Sequence, residues 1–333
     1  MAARRNRVKS AHAALHHAPD VALSLILVKS GGAAAVPDWQ KHFAHLLPDF
    51  SVLGWDDPAV DPAAVTHVVV WAPEPGRLAQ FPNLKLILSS GAGVDHLADP
   101  ALPRGVPVVR LGAPEAVSRM AEHVTLAVLY HHRLWHRFAD QQRRLVWDSL
   151  DNPEAHERRV GIMGLGQLGA ASAASVARFG FQVAGWSRTP KALPGVQCFA
   201  GPRGLKPFLA RTDILVCLLP STPETDGMLN AATFAMLPRG ATLVNAARGA
   251  LVNEADLLAA LDSGQVSAAA LDVFVTEPLP PESPFWTHPM VTLTPHVASF
   301  PGRAARARYC AQVIRAHQQG QPLPNLFDPA RGY

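Results

Sequence analysis

The sequence predicts an α/β protein built as two Rossmann-like units, each a doubly wound parallel sheet, with a cleft between them. Three observations carry this expectation. Short apolar runs rich in Val, Ile and Leu alternate with longer helical stretches along the chain, the pattern of βαβ architecture. A Gly-rich turn, Gly164-Leu165-Gly166-Gln167-Leu168-Gly169, stands between one such run and a helical stretch near the middle of the chain. The length, 333 residues, also exceeds one domain at roughly 150 residues each.

Taken in order, Val21–Val28, Val65–Trp71, Leu84–Ser89 and Val106–Leu111 read as strands, bounded by Gly and Pro and spaced widely enough for helices. They make a first α/β unit. Glu115 to about Arg137 reads as one long helix able to join two lobes, with Met120, Val124, Ala127 and Val128 on one face, and the polar stretch Asp148–Arg159 ends it. A second series follows with strands at Val160–Met163, Gln182–Trp186, Ile214–Leu218, Thr242–Asn245, Ala268–Val273 and Val291–Leu293. Helices at Ala170–Phe179 and Glu254–Asp262 separate them, so six strands are expected in a doubly wound sheet. A last helix near Gly302–His317 is expected to pack back on the first unit.

Composition narrows the function classes. With 48% apolar and 17% charged residues the chain is not a disordered one. A net charge of +4 is mild at this length and gives no reason to expect nucleic acid. No apolar run approaches the 18 or more residues of a membrane helix, so no membrane partner is expected. Cys198, Cys217 and Cys310 form neither a CxxC pair nor a disulfide framework and read as reduced, in a cytoplasmic protein. The first 19 residues carry Arg4, Arg5, Arg7 and Lys9 without an acid, and read as a disordered extension or the product of an upstream start codon. His42 with His45, and His132 with His136, lack a third ligand, so both pairs are expected on solvated helix faces and no metal is expected. The Arg143-Arg144 pair reads in the same way, as a solvated basic run.

The Gly-rich turn has the chemistry of a dinucleotide site. Gly164, Gly166 and Gly169 allow a tight turn, a close approach of backbone to pyrophosphate and close helix–strand packing, and the helix N-terminus at Gln167 and Leu168 presents free N–H groups. About 20 residues further on, where an NAD site carries a carboxylate for the ribose, the chain has Ser187 and Arg188, with Lys191 nearby. A carboxylate there would repel a 2′-phosphate, whereas a guanidinium forks onto its oxygens. NADP(H) is therefore the preferred cofactor, with NAD(H) also to be tested.

Three strand ends then place polar residues in apolar surroundings: Asn245-Ala246-Ala247-Arg248-Gly249, Asp272 to Glu277-Pro278, and Thr294-Pro295-His296-Val297-Ala298. Ligands of open α/β sheets lie at such carboxyl ends. Reduction of a 2-oxo acid needs a cation for the carboxylate, a proton donor for the carbonyl oxygen and a carboxylate to hold the donor charged. Arg248, His296 and Glu277 are of those types.

These segments, with Ser90-Gly91-Ala92-Gly93-Val94-Asp95, Met120–Val124, Trp186-Ser187-Arg188 and Leu218–Thr225, resemble the D-2-hydroxyacid dehydrogenase family in order and content from Val21 to the terminal Ala330–Tyr333. The likeness is to its glyoxylate/hydroxypyruvate reductase branch. It implies a flavodoxin-like substrate domain at 20–120 with 299–333, interrupted by an NAD(P)-binding domain at 121–298. It further implies that Arg248 clamps the substrate carboxylate, His296 is the acid/base, and Glu277 orients it. The Ala92 and Gly93 N–H groups would bind the same carboxylate. Asp272 and the Ala246 carbonyl would hold the nicotinamide carboxamide, with Ala247, Leu219 and Pro220 lining its pocket. Trp71 resembles a substrate-pocket position, and Trp147 a residue that reaches the active site of a partner in a homodimer. His123 stands where an aromatic is expected, and Ser299-Phe300-Pro301 departs from the commonest family sequence. Two rivals follow from the same likeness: an NAD-linked dehydrogenase of another D-2-hydroxy acid, and a dinucleotide-sensing regulator without turnover. Glu277 in place of Gln disfavours a formate dehydrogenase.

Overall fold

In the computed structural model, residues 24–97 and 99–328 are described. The N-terminal segment 1–19, the start of the first expected strand and the last five residues lie outside them. The first unit contains β1 (Ser24–Lys29), α1 (Val36–Leu46), β2 (Phe50–Gly54), β3 (Val65–Val70), β4 (Leu86–Ser89) and β5 (Val108–Val109). All pairings are parallel and the strand order is β2-β1-β3-β4-β5, the flavodoxin-like order. β2 was not foreseen. It is a short edge strand, and Phe50-Ser51-Val52 alternates too briefly to register as a pattern.

The long helix expected over Glu115–Arg137 is two helices, α2 (Pro114–His132) and α3 (Trp135–Arg143). The break is at Leu134, whose φ of 57° puts it in the left-handed region and turns the chain between them. Met120, Val124, Ala127 and Val128 are buried as expected, but so are His131, His132 and His136. The solvated face assigned to His132 and His136 is thus corrected: the turn at Leu134 brings His136 against His131, and His132 packs edge-on against Phe181. His45 does lie exposed. Arg143 and Arg144 are exposed and both reach Asp140.

The second unit runs β6 (Arg159–Met163), α4 (Gln167–Ala177), β7 (Gln182–Ser187), β8 (Gln197–Ala200), α5 (Gly201–Ala210), β9 (Ile214–Cys217), α6 (Ala231–Ala235), β10 (Ala241–Asn245), α7 (Glu254–Asp262), β11 (Val266–Leu271) and β12 (Val291–Leu293). Its seven parallel strands are ordered β12-β11-β10-β9-β6-β7-β8, so the order reverses direction at β6 and the crevice opens there. The seventh strand is β8, an edge strand that the count of six omitted. Central strands are apolar on both faces; Ile214–Cys217 is buried throughout. The last helix, α8 (Arg303–Gln318), returns to the first sheet. Its Ala307, Cys310 and Ile314 share a core with Ile26, Trp39 and Phe43. Both sheets therefore turn the carboxyl ends of their strands toward one cleft, crossed by side-chain contacts between the units.

Candidate active site

The Gly-rich turn follows β6 directly. Gly164 has φ 96°, and a methyl group there would stand 2.5 Å from the Leu218 carbonyl oxygen. Gly169, in the first turn of α4, leaves a gap that a methyl would close to 1.7 Å from the Gly164 carbonyl oxygen. Gly166 is different: nothing lies within 4 Å of where its Cβ would be. Two glycines thus serve packing and the third faces open space at the N-terminus of a helix without a side-chain cap. That cradle fits the pyrophosphate of a dinucleotide. Gln167 is exposed and Leu168 partly so at its rim.

At the end of β7 the Ser187 hydroxyl donates to the Thr189 carbonyl at 2.7 Å, which closes a small turn and sends Arg188 and Lys191 outward. Lys191 lines an open hollow of about 520 Å³ with Leu193, Pro194 and Cys198. Across from it, the Thr222 hydrogen bond and, more weakly, the Arg188 charge hold the Glu224 carboxyl below its ordinary value. Leu219 is buried under this loop, and the Pro220 carbonyl accepts from Thr225 Oγ1 at 2.7 Å.

Arg248 follows β10, after the buried Ala246 and Ala247. Asn245 holds the turn by donating Nδ2 to the Arg248 carbonyl at 3.0 Å. The guanidinium crosses to the first unit, where Nε donates to both oxygens of Asp95 at 2.9 and 3.0 Å. Nη1 donates to the Ala247 carbonyl at 2.7 Å. The group lies so close over Gly93 that a methyl there would be 1.8 Å from Nη2. The loop beneath is pinned by Ser89, whose hydroxyl lies 2.9 Å from the Gly91 carbonyl and 3.2 Å from that of Gly93. The Ala92 and Gly93 N–H groups have no partner among the described residues. Arg248, Ala92 and Gly93 thus present donors on one wall.

Glu277 and His296 meet opposite. His296 Nδ1 lies 2.7 Å from Glu277 Oε2, while Oε1 accepts from the Phe274 N–H at 3.0 Å. Burial pushes the Glu277 carboxyl up, but those two hydrogen bonds and the charges of His296 and Arg248 outweigh it and hold it below its ordinary value. His296 itself has φ 53°, unusual for a residue other than glycine. Asp272, buried, fixes that conformation. Its carboxylate accepts from Thr294 Oγ1 at 2.6 Å and from the Val297 and Ala298 N–H groups at 2.9 Å each, and its carbonyl accepts from His296 N at 2.8 Å. Sequence reasoning had given Asp272 only a cofactor contact and missed this service to the histidine turn.

Trp71 follows β3 and its ring meets that of His296 edge-on, 5.9 Å between centroids. Trp147 is not brought to this cleft; it lies fully exposed after α3. Asp95, Ser89 and His96 are the functional candidates that reading the sequence did not single out. Asp95 ends the Ser90–Asp95 segment with no local sign of a role, and His96 is one of 15 histidines. Among the described residues no cluster of His, Cys, Asp and Glu is arranged to hold a metal, and no helix is long and apolar enough to cross a membrane.

Comparison with known proteins gives a consistent likeness. The family described as "D-isomer specific 2-hydroxyacid dehydrogenase, NAD binding domain" matches residues 125–298. Glyoxylate/hydroxypyruvate reductase A of Yersinia enterocolitica is 40% identical over 302 residues, covering 89% of this chain and 96% of that protein. A D-isomer specific 2-hydroxyacid dehydrogenase of Xanthobacter autotrophicus Py2, solved with NADPH and MES, is 44% identical with a TM-score of 0.88, covering 93% of this chain and 99% of that one. The NADPH-dependent glyoxylate/hydroxypyruvate reductase of Sinorhizobium meliloti, solved with NADP and sulfate, is 38% identical with a TM-score of 0.86, covering 93% and 100%.

Proposed function

This chain is an oxidoreductase of the D-isomer-specific 2-hydroxyacid dehydrogenase family, and from that premise we propose that it uses NADPH to reduce small 2-oxo acids, glyoxylate to glycolate and hydroxypyruvate to D-glycerate. The observation that carries the reading is the His296–Glu277 pair at 2.7 Å, set in one cluster with the Arg248 guanidinium. The cleft then lies between a substrate domain, 20–120 with 299–333, and a dinucleotide-binding domain, 121–298.

A dinucleotide held at the turn by its pyrophosphate would supply the hydride from its reduced nicotinamide; the chain binds, orients and protonates. Arg248 has Nε and Nη1 engaged, which leaves Nη2 toward the substrate carboxylate beside the Ala92 and Gly93 N–H groups. With Nδ1 on Glu277, His296 delivers its proton from Nε2 to the carbonyl oxygen as the C=O π pair leaves carbon, and is reprotonated from water. Arg248 also stabilises the charge that develops on that oxygen. Ala246, Ala247, Leu219, Pro220 and Asp272 line the nicotinamide end. Gly164, Gly166, Gln167, Leu168 and Gly169 hold the pyrophosphate, and Ser187, Arg188 and Lys191 receive a 2′-phosphate. The NADPH and NADP in the Xanthobacter and Sinorhizobium structures support that preference. The described cysteines are unpaired, which supports a reducing compartment, the cytoplasm.

The test is oxidation of NADPH and NADH, followed by loss of the dihydronicotinamide absorbance, against glyoxylate, hydroxypyruvate, pyruvate and phenylpyruvate. Turnover with the first two and NADPH is expected, and no turnover with any acid would sink the reading. Arg188→Ala should raise the KM for NADPH roughly tenfold or more while leaving that for NADH nearly unchanged; equal effects on both would remove the 2′-phosphate argument.

A further inference from the structure

Trp71 is held on three sides. Its ring lies 4.0 Å from that of His96, centroid to centroid, with the planes 32° apart. It covers Gly91, where a methyl would stand 2.3 Å from Cζ3. Its edge meets His296 at 85°. Beneath the indole, His96 has Nε2 3.3 Å from Ser89 Oγ, and its Nδ1 is buried without a partner among the described residues. Burial lowers the pKa of this imidazole to about 4; Asp95 opposes the shift, and Arg248 and His296 add to it. The ring is therefore uncharged at neutral pH. An orphan nitrogen in such a place is destabilising, so stability alone does not account for an imidazole here. What the imidazole provides is a flat platform for the indole.

We propose that His96 is a positioning residue that sets substrate size: by stacking on Trp71 it fixes the indole over Gly91 and against His296, so the pocket admits 2-oxo acids with no side chain or a small polar one and excludes aryl groups. The inference rests on the 2-oxo acid reading above and adds a residue to it. Without the platform, the indole is free to rotate away from Gly91 and open the wall beside the proton donor. Ser89 does not depend on His96, since its hydroxyl keeps both loop carbonyls.

The experiment compares kcat/KM for glyoxylate and phenylpyruvate with NADPH in the wild type, His96→Ala and His96→Phe. His96→Ala is expected to raise the phenylpyruvate-to-glyoxylate ratio roughly tenfold, the scale on which apolar pockets discriminate. His96→Phe keeps a ring in the stacking position and should hold the ratio within about twofold of wild type. Calorimetric binding of phenyllactate and glycolate to the NADPH-loaded protein, a pair with no hydride to exchange, reads the same pocket without turnover, so an inert wild type is distinguished from a failed stack. An unmoved ratio in His96→Ala, or an equal change in His96→Phe, overturns the proposal. So does a displaced pH–rate profile in His96→Phe, which would make His96 a proton-transfer group. Should His96→Ala fail to fold, His96→Leu fills the volume without a ring and carries the same expectation.

Discussion

Glu277 is the residue whose electrostatics can be read most directly. It is exposed at the cleft, and its carboxyl sits below the ordinary value because His296 and the Phe274 N–H hydrogen-bond to the charged form, against the burial that raises it. The carboxylate in turn holds the ring: Glu277 Oε2 lies 2.7 Å from His296 Nδ1 and fixes its orientation. Replacing the carboxylate with an isosteric amide, Glu277→Gln, keeps the shape and removes that charge. The ring then loses its anionic anchor, so kcat for 2-oxo acid reduction should fall on the order of 10²-fold. The KM for NADPH should hold. A kcat that stays at the wild-type value would mean that Glu277 does not hold the proton donor. Residues such as Arg248 and His296 stood out in the sequence because each is a polar group just past an apolar strand, where open α/β sheets do their chemistry. Asp95 did not, since its partner Arg248 is 153 positions away and only the folded chain brings them together. His96 gave no local signal at all; its role depends on a stack with Trp71 that neither residue's neighbours announce.

At the scale of elements, the corner between α2 and α3 carries the largest unforeseen feature. His131 and His136 lie 4.9 Å apart between ring centroids, both buried and each with Nδ1 lacking a partner among the described residues. Burial, with the His136 charge behind it, lowers His131 from its ordinary 6.5 to about 3; burial, with Arg137 behind it, lowers His136 to about 4. Above pH 6.5 both states of the chain hold these rings neutral, and the histidines add no pH dependence. Below it the unfolded chain takes up protons that the folded chain refuses, so folded stability falls as pH drops through the window from 6.5 toward 4. Each ring contributes a slope of up to about 1.4 kcal/mol per pH unit. Urea unfolding at pH 7.5 and 5.5 should therefore show a clear loss at the lower value, and His136→Gln should flatten the slope; a flat wild-type profile would show that the corner opens to water. The same corner marks the limit of pattern reading. β6, the turn and α4 were legible because glycine spacing has a steric cause, whereas the break at Leu134 has no glycine or proline to signal it. β2 and β8 were missed because edge strands of four or five residues bury too little to impose a pattern.

For the whole molecule, the two units meet through Arg248 with Asp95 and His296 with Trp71, so the proposed chemistry needs both lobes in place. Outside the cleft, α2, α3 and the segment after them expose Leu126, Trp135, Phe138, Leu145, Val146 and Trp147, with Leu145 at 95% and Trp147 at 102% exposure. Apolar groups exposed at this density over consecutive segments point to an interaction surface. We propose that two copies cover it as a homodimer through the dinucleotide-binding unit, since a two-fold axis lets one such patch bury its own counterpart. Trp147 would then reach the partner's cleft, as it does not reach its own. The two roles separate by mutation. Leu145→Arg places a charge in the middle of the patch and should convert a dimer to a monomer at micromolar concentration, read by sedimentation equilibrium. Trp147→Ala should leave the dimer intact but raise the KM for 2-oxo acids severalfold, with the KM for NADPH unchanged. A wild-type chain that sediments as a monomer would remove the dimer. A dimer whose Trp147→Ala variant keeps its wild-type KM would retain the interface and remove the indole from the partner's site.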